Sequence, residues 1–353
     1  MRPSAPDDDL TVSSETLTFE LPDALLATEP PETHGTRDGV RLMVVEGTRI
    51  THTVFRRLAS FLHAGDLLVV NTSATVAAAA DGARAGGRPV VVHLANPWGD
   101  GEWLVEIRRP DQRGPVRDLE PGETITLERG AELRLVDRWR PESARLWTAR
   151  FLGGEVFAEW MHGHGRPIAY GHTAHALPLA SYQTVFARDP GSAEMPSAGR
   201  PFSVELIVEL MARGVAFAPV LLHAGVSSLE VGELPPPERY RVGSSTARLI
   251  NATRANGGRV IAIGTTVARA VETVAAPGGT VTAGSGWTEL VLSPRRPAWA
   301  VDGLVTGWHE PRSTHLLLLD AIAGARPVRL AYDAALAGGY RWHEFGDSCL
   351  FLR

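Results

Sequence analysis

The sequence contains no lysine, so all 35 residues counted as lysine or arginine are arginine. This absence excludes reactions that need a lysine Schiff base, and it excludes a Walker motif, whose lysine binds nucleotide phosphates. Cysteine occurs once, as Cys349 in the apolar run 349–352. A lone cysteine excludes an internal disulfide and a cysteine-rich zinc site, and its apolar neighbours favour a buried structural thiol over a nucleophile.

Long hydrophobic runs are also missing. The longest, such as residues 67–70 and 316–319, fall far short of the roughly 20 apolar residues that span a bilayer. The chain starts with the acidic, polar segment MRPSAPDDDL, which lacks the apolar core of a signal peptide. We therefore expect a cytoplasmic protein that does not enter the membrane.

Strong positive charge is absent as well, since the formal net charge is −5. A protein that binds a polyanion normally carries a basic surface, so the balance argues mildly against a nucleic-acid partner. It does not exclude one, because a local arginine patch can coexist with an acidic remainder.

The length of 353 residues allows two domains. Residues 1–16 are acidic and rich in Ser, Thr and Pro, and we expect a disordered tail there. Residues 86–154 contain short β-rich runs separated by Gly, Pro and Asp, which predict an inserted all-β, barrel-like domain. Residues 17–85 and 155–353 alternate strands with helical stretches, which predicts a discontinuous α/β core with a mixed sheet or barrel and helices. The predicted strands are 66–71, 89–94, 102–107, 123–127, 132–136, 146–151, 215–223 and 259–263, and the clearest predicted helices are 245–256, 266–274 and 313–323.

Two loops at predicted strand ends carry polar residues suited to a ligand, because α/β sheets bind ligands at the carboxyl ends of strands. Residues 191–199 precede a helix beginning near Ser203, and small residues with a helix N-terminus favour an anionic group. An ordinary loop with Ser203 as the helix cap is the alternative. His223 follows an apolar strand, where an imidazole suits proton transfer near neutral pH, although it can equally satisfy loop backbone groups.

Two further loops have the same character. Thr265 and Thr266 precede a helix that carries Arg269, and their hydroxyls can hold a ribose or a carboxylate, or simply cap the helix. The segment 306–314 combines Trp308 with His309. The indole of Trp308 could stack on a base or lie over a sulfonium, because the face of an indole attracts a cation by roughly 0.5–2 kcal/mol. From the residues alone, packing of Trp308 in the core is an equal alternative.

Four histidines lie within 14 residues, at His162, His164, His172 and His175. Such a cluster invites a metal interpretation. No helix or strand spacing directs these side chains toward one point, and carboxylates are sparse nearby. The sequence therefore favours a solvated loop, and we expect no metal.

Taken in order, these segments resemble the S-adenosylmethionine:tRNA ribosyltransferase-isomerase family of queuosine biosynthesis. YQTVFA at 182–187 followed by GS at 191–192 matches that family's Y-Q-T-V-[YF]-A…G-S, and PSAG at 196–199 is similar to its P-T-A-G. The remaining similarities are LHAG at 222–225 with L-H-V-G, GTT at 264–266 with G-T-T, HEPRST at 309–314 with H-x-P-x-S-T, YRW at 340–342 and GD at 346–347 with Y-R-F…G-D, and the start segment GDLLVVNT at 65–72.

The resemblance implies a transferase-isomerase that moves the ribosyl part of S-adenosylmethionine onto a 7-aminomethyl-7-deazaguanine base in tRNA, releasing adenine and methionine. It implies S-adenosylmethionine as co-substrate and tRNA as partner, and we expect no other cofactor. His223 and His309 are the implied acid/base residues. The implied substrate-binding residues are Tyr182, Gln183, Gly191, Ser192, Ser197, Gly199, Gly225, Gly264, Thr265, Thr266, Arg269, Trp308, Ser313, Thr314 and Asp347.

The chain also departs from the family pattern. Pro201 stands where the family has histidine, Ala80 replaces the arginine of its N-T-x-V-x-x-A-R motif, and only Glu238 is kept from H-x-M-H-x-E. Two alternatives therefore stay open. One is a paralogue that cleaves or rearranges S-adenosylmethionine with a small-molecule acceptor or none. The other is a non-catalytic protein that binds S-adenosylmethionine or tRNA.

Overall fold

A computed structural model describes residues 17–141, 143, 145–173, 175–226 and 233–353 of the chain. The tail predicted at 1–16 lies outside the described residues. The described part contains a nine-stranded mixed sheet with helices and a closed barrel of six strands. The predicted fold class, an α/β core with an inserted all-β barrel-like domain, is confirmed.

The elements follow one another along the chain in this order. Strands of the first half are β1 Arg41–Glu46, β2 Arg49–Val54, β3 Leu67–Asn71, β4 Ser73–Thr75, β5 Ala79–Ala83, β6 Pro89–Gly99, β7 Glu102–Arg108, β8 Thr124–Leu127, β9 Glu132–Arg138 and β10 Leu146–Phe151. The second half contains α1 Phe157–His164, β11 Asp189–Ser192, α2 Val204–Ala212, β12 Ala216–Leu222, β13 Glu238–Val242, α3 Ser244–Ala255, β14 Val260–Ile263, α4 Thr265–Thr273, β15 Gly284–Thr288, β16 Gly303–Thr306, α5 Thr314–Ala323, α6 Ala325–Ala337 and β17 Ser348–Leu352.

The large sheet has the strand order β15-β13-β12-β3-β14-β16-β17-β1-β2. Its four neighbouring strands β12, β3, β14 and β16 run parallel to one another. Every residue of β3 and β14 is buried, as expected for parallel strands covered on both faces.

Both faces of this sheet carry a hydrophobic core. Alternate residues of β3 point to opposite faces, because the side-chain period of a strand is two. Leu67 and Val69 pack in the core that holds residues of α3 to α6, whereas Leu68 and Val70 pack in the core that holds residues of α2. The apolar run of β3 therefore anchors both layers of helices.

The barrel closes in the order β10-β7-β6-β5-β8-β9, with antiparallel neighbours throughout. The five strands predicted between residues 89 and 151 are all present. A sixth, β5, lies ahead of residue 86, so the barrel strands begin at Ala79. Gly82 on β5 lets the strands approach closely, because a Cβ there would lie 2.8 Å from the Ile125 Cγ2.

The insertion leaves the core and returns to it at one place. The departing strand β4 and the returning strand β11 pair in parallel, with Ser73 opposite Asp189. The Val76 N–H also donates to the Ser192 carbonyl at 2.9 Å. The two ends of the barrel insertion are thus bound to each other directly beneath the barrel.

Charged residues are also buried in the barrel domain. Glu106 is fully buried and accepts a hydrogen bond from the Arg108 Nη1 at 3.0 Å, while the Arg145 Nη1 lies 3.2 Å from the same carboxylate. His93 is buried beside them, and its burial lowers the pKa of that imidazole well below its usual value. Removing one member of such a network leaves an uncompensated buried charge.

Elements outside the recognisable motifs escaped prediction. The sequence analysis gave no hairpin for β1 and β2, which turn at Gly47 with a φ of +59°. It also gave no strand for β17, although every residue of that strand is buried. Within the described residues, no helix is both long and apolar enough to span a membrane.

Glu272 gives a test of this packing. Its buried carboxylate accepts the backbone N–H groups of Trp299 at 2.9 Å, Ala300 at 2.8 Å and Val301 at 3.0 Å. We expect Glu272→Ala to lower the free energy of unfolding by about 3 kcal/mol, because these N–H groups lose their acceptor. Urea denaturation measures the change.

The exposed Glu205 provides the control, since Glu205→Ala should cost less than about 1 kcal/mol. Equal losses in the two variants would contradict the anchoring role of Glu272.

Candidate functional site

The loops that follow β12, β3, β14 and β16 leave the large sheet at the same edge, because these strands are parallel neighbours. Three of them carry residues predicted for the site: the loops at 223–225, 264–266 and 307–309. The residues where β3 ends and β4 begins, 71–73, were not predicted for the site. Ligand sites of open α/β sheets lie at such an edge.

Two serine hydroxyls and one imidazole form a hydrogen-bonded cluster at this edge. The Ser73 Oγ lies 2.6 Å from the Ser192 Oγ and 2.8 Å from the His223 Nδ1. The Ser192 Oγ also accepts the Ala224 N–H at 3.0 Å. Both serines are buried, and His223 is half-buried. The cluster fixes one ring nitrogen of His223.

Asn71 holds three of these loops in position. Its side-chain oxygen accepts the N–H groups of Leu222 at 3.0 Å and Ser73 at 3.1 Å. Its Nδ2 donates to the Leu222 carbonyl at 2.8 Å and lies 3.3 Å from the Thr266 Oγ1. The ends of β12, β3 and β14 are therefore joined through one amide.

Gly191 allows His223 to sit where it does. A Cβ at residue 191 would lie 2.5 Å from the imidazole Cε1 and Nδ1, and the backbone there has a φ of +154°. Any side chain at this position would displace the ring. Gly225 has a similar role toward the barrel, because a Cβ there would lie 2.8 Å from the Asn96 Nδ2.

His223 is held in its neutral form. Burial is the main cause that lowers its pKa, and the nearby Arg239 and Arg241 act in the same direction against the opposing charge of Asp189. If the Nδ1 donates its proton to the Ser73 hydroxyl, the Nε2 is the free proton acceptor. The arrangement then suits a general base.

His309 is also neutral, but its surroundings differ. Its Nε2 lies 2.8 Å from the Thr306 Oγ1, and its ring stacks on His315 with 4.5 Å between centroids. Burial lowers its pKa well below the usual value. The strands that end near His223 and His309 are separated by three strand spacings, or about 14 Å, so a ligand that meets both loops spans the width of this edge.

Trp308 lies in the hydrophobic core. Only 3% of its surface is exposed, and its ring packs against Tyr332, Tyr340 and Trp342 with centroid distances of 5.1, 5.6 and 5.4 Å. Of the two alternatives left by the sequence, the structure places this indole in core packing.

Three predicted binding residues make polar contacts within the protein. Gln183 pairs with the backbone of Thr75 through both ends of its amide, at 3.1 and 2.8 Å. Asp347 accepts the Arg41 guanidinium at 3.0 and 2.8 Å. Arg269 forms an ion pair with Glu238.

Glu238 links the Arg269 pair to the His223 loop. Its second carboxylate oxygen accepts the Gly225 N–H at 3.0 Å. Glu238, the one residue that this chain keeps from the family's H-x-M-H-x-E motif, thus supports the backbone two residues after His223.

The remaining predicted residues fall into three groups. Thr265 is the first residue of α4, after Gly264 with a φ of +100°. Ser197 lines a small cavity with Gly307 and Asp347, and the adjacent Gly199 contacts Thr184. Tyr182, Ser313 and Thr314 are buried. The Tyr182 hydroxyl and the Ser313 Oγ have no hydrogen-bond partner among the described residues.

A groove lined by arginines lies on the barrel surface. Its volume is about 510 Å³, and its charged lining consists of five arginines and one aspartate: Arg84, Arg88, Arg109, Arg113, Arg117 and Asp118. The loop that carries Arg113 touches Gly171, since a Cβ there would lie 2.9 Å from the Arg113 Cγ. The neighbouring Tyr170 donates its hydroxyl to Glu194, which belongs to the predicted loop 191–199.

Sequence reasoning missed Ser73 and Asn71, although both lie in the segment 65–72 or directly after it. Their polar side chains at the end of an apolar strand were the available signal. It also missed the contact of Tyr170 with Glu194 in the predicted loop 191–199, because nothing local indicates that these two residues would meet.

Comparisons with known proteins agree with this arrangement. Residues 14–351 match the family model described as queuosine biosynthesis protein. The chain is 36% identical over 349 residues to the S-adenosylmethionine:tRNA ribosyltransferase-isomerase of Moorella thermoacetica, covering 96% of this chain and 99% of that protein. It is 37% identical over 344 residues to the protein of the same name from Geobacter sulfurreducens, covering 94% and 97%.

A solved structure is similar over the same length. The crystal structure of S-adenosylmethionine tRNA ribosyltransferase from Thermotoga maritima aligns with a TM-score of 0.53 and 31% sequence identity, covering 95% of this chain and 99% of that chain. The similarity therefore extends to the core and the inserted barrel together.

The lowered pKa values of two histidines near the site predict that acid destabilises the fold. Burial lowers the pKa of His315 to about 4 and that of His343 to about 4, from the ordinary 6.5. Between these values the unfolded chain binds more protons, so the free energy of unfolding falls as the pH is lowered. Asp320 acts in the opposite direction, because burial raises its pKa to about 6 and the folded chain takes up that proton first.

Comparison of variants isolates the histidine contribution. When the pH is lowered from about 7 to about 5, the free energy of unfolding of His315→Gln should fall less than that of the unsubstituted chain. Urea denaturation at each pH measures the difference. The exposed His162→Gln is the control and should keep the original pH dependence. An unchanged dependence in His315→Gln would refute the assignment.

Proposed function

The chain belongs to the queuosine biosynthesis protein family, and from this membership we propose that it is an S-adenosylmethionine:tRNA ribosyltransferase-isomerase. It transfers and isomerises the ribosyl part of S-adenosylmethionine onto a 7-aminomethyl-7-deazaguanine base in tRNA, and adenine and methionine are released. The observation that carries this proposal is the match of residues 14–351 to the family, together with relatives covered over nearly their whole length. Because the acceptor is tRNA, we propose the cytoplasm as its compartment.

We propose His223 as the base. The reaction needs a proton removed from C5′ of the ribose, whose protons are acidified by the adjacent sulfonium. A neutral imidazole with one nitrogen bonded to Ser73 offers the other nitrogen for that proton. Positioning by Ser73, Ser192 and Gly191 supplies the geometry that proton transfer requires.

His309 is proposed to assist the departure of adenine. Its pKa is lowered well below the usual value, so few molecules carry an imidazolium at neutral pH. It would therefore act as a neutral hydrogen-bond donor to the leaving base rather than as a strong acid. The Thr306 hydroxyl and the His315 ring hold it in place.

The loop at the start of α4 is proposed to bind the ribose or the methionine carboxylate. Thr265 and Thr266 offer hydroxyls there, and the N-terminus of a helix favours an anion. Arg269 is paired with Glu238, so we propose that it positions the loop 223–225 and does not neutralise the substrate directly.

The arginine groove supports tRNA as the acceptor over a small molecule. Three of the five arginines are ion-paired with Glu123, Asp118 and Asp111, so the positive charge of the lining is only partly balanced, on a protein of net charge −5. Arginine side chains bind phosphate oxygens in paired geometry. Contacts through Gly171, Tyr170 and Glu194 connect this groove to the loop 191–199, so a bound tRNA backbone would lie beside the site.

The function is tested by product analysis. The pure protein is incubated with S-adenosylmethionine, with and without tRNA that carries the 7-aminomethyl-7-deazaguanine base, and adenine and methionine are quantified by chromatography. We expect release only in the presence of the tRNA. Release without tRNA would instead indicate a lyase or a small-molecule acceptor, and no release in either reaction would indicate a binding protein.

Substitution of the proposed base gives a sharper prediction. His223→Ala should reduce turnover by about 10²–10⁴-fold, because general base catalysis contributes about that much. The turnover number is measured with saturating S-adenosylmethionine and tRNA, and the circular dichroism spectrum checks that the fold survives. His162→Ala, at an exposed position, should keep the original rate. A His223→Ala variant with near-normal turnover would remove His223 from the mechanism.

A further inference from the structure

Two segments that are far apart in the sequence bring histidine and carboxylate side chains together beside the site. His172 lies in the segment that returns from the barrel toward β11, whereas His343 and Glu344 precede β17. One donor atom from each of these three residues lies within 4.8 Å of the others. All three side chains are half-buried.

One of the distances is close to that between two ligands of one metal ion. The His172 Nε2 lies 3.2 Å from the Glu344 Oε2. Nitrogen and oxygen ligands bind Zn²⁺ at about 2.0–2.2 Å, so neighbouring ligands of a tetrahedral ion lie about 3.4 Å apart. A fourth ligand atom is close, since the Glu310 Oε1 lies 4.0 Å from the His343 Nε2.

The rings of His172 and His343 are stacked, so one of them must turn before both can direct an in-plane nitrogen lone pair at a single ion. The His172 ring is stacked between two others, with centroids 4.2 Å from His343 and 6.3 Å from Tyr170. His343 has a φ of +72°, a conformation uncommon outside glycine. The Gly346 N–H donates to the His343 carbonyl at 2.9 Å and closes this turn. Strained backbone of this kind occurs where the surrounding structure fixes a side chain for a purpose.

We propose that His172, His343 and Glu344 bind a divalent transition-metal ion, for which Zn²⁺ is the best-matched choice, with Glu310 as a fourth ligand or as a partner of bound water. Two imidazoles and one carboxylate form a ligand set that zinc uses in proteins with an open fourth position. This proposal replaces the expectation of no metal, which rested on the local spacing of His162, His164, His172 and His175.

An ion pair between His172 and Glu344 is the simpler alternative. It explains one contact of 3.2 Å but requires neither the second imidazole nor the nearby Glu310. The metal accounts for the convergence of all four. It would also fasten the segment that contains His172 to the loop before β17, and so hold the returning chain of the barrel on the core.

The test uses the full-length protein after dialysis against a chelator. Zn²⁺ is titrated by calorimetry, and Co²⁺ is titrated while its visible absorption is recorded, because the intensity of those bands reports tetrahedral coordination. We expect one ion per chain and a melting temperature that rises with Zn²⁺ concentration. The ribosyltransferase activity enters none of these readouts, so their failure would leave the proposed function untouched.

Matched variants separate the metal from the ion pair. His172→Phe keeps the ring stack but removes the nitrogen, and His343→Asn keeps a residue that tolerates positive φ. Loss of an outer-shell partner weakens metal binding 10–100-fold, so each of these ligand variants should weaken Zn²⁺ binding by at least about 100-fold. His162→Ala lies outside the cluster and should bind like the unsubstituted chain. Absence of stoichiometric Zn²⁺ binding, or unchanged affinity in both ligand variants, would overturn the proposal.

Discussion

The amide of Asn71 is the interaction on which the site depends most. It stands at the end of the central strand β3 and bonds to both backbone groups of Leu222 at the end of β12. It also reaches Ser73 and Thr266. The backbone hydrogen bonds between neighbouring strands are enough to hold the buried strands in register, but they do not position the loops that follow. One fully used amide fixes three loop origins at once, and replacing it would leave several buried backbone groups without partners.

The buried strands of the sheet explain why this polar end of the sheet is rigid. Leu67 to Val70 anchor helices on both faces, so β3 cannot shift without disturbing two cores. The polar residues that follow it are therefore presented by a stiff support. His223 gains a hydrogen bond to one ring nitrogen from the Ser73 hydroxyl and a lowered pKa from burial. Neither property belongs to the histidine itself.

Much of the fold could be predicted from the sequence, because apolar runs of strand length and turn residues are local signals. The barrel strands and the elements from β12 to α5 follow this rule. The family motifs also pointed to the loops around His223, Thr266 and His309, which leave the sheet at the same end. Trp308 could not be assigned, since its position in the aromatic cluster depends on Tyr332 and Trp342 from later elements. The approach of His172 to His343 was equally hidden, because the distance is set by the return of the chain from the barrel.

The parallel pair β4 and β11 has a mechanical consequence. Ser73 and Ser192, whose hydroxyls position His223, lie on the two strands by which the barrel is attached to the core. The attachment point and the support of the imidazole are therefore one structure. Any swing of the barrel on the core would act as a lever on these hydroxyls and move them away from the ring. A macromolecule bound to the barrel would oppose that rotation, so binding would also set the orientation of the barrel relative to the core.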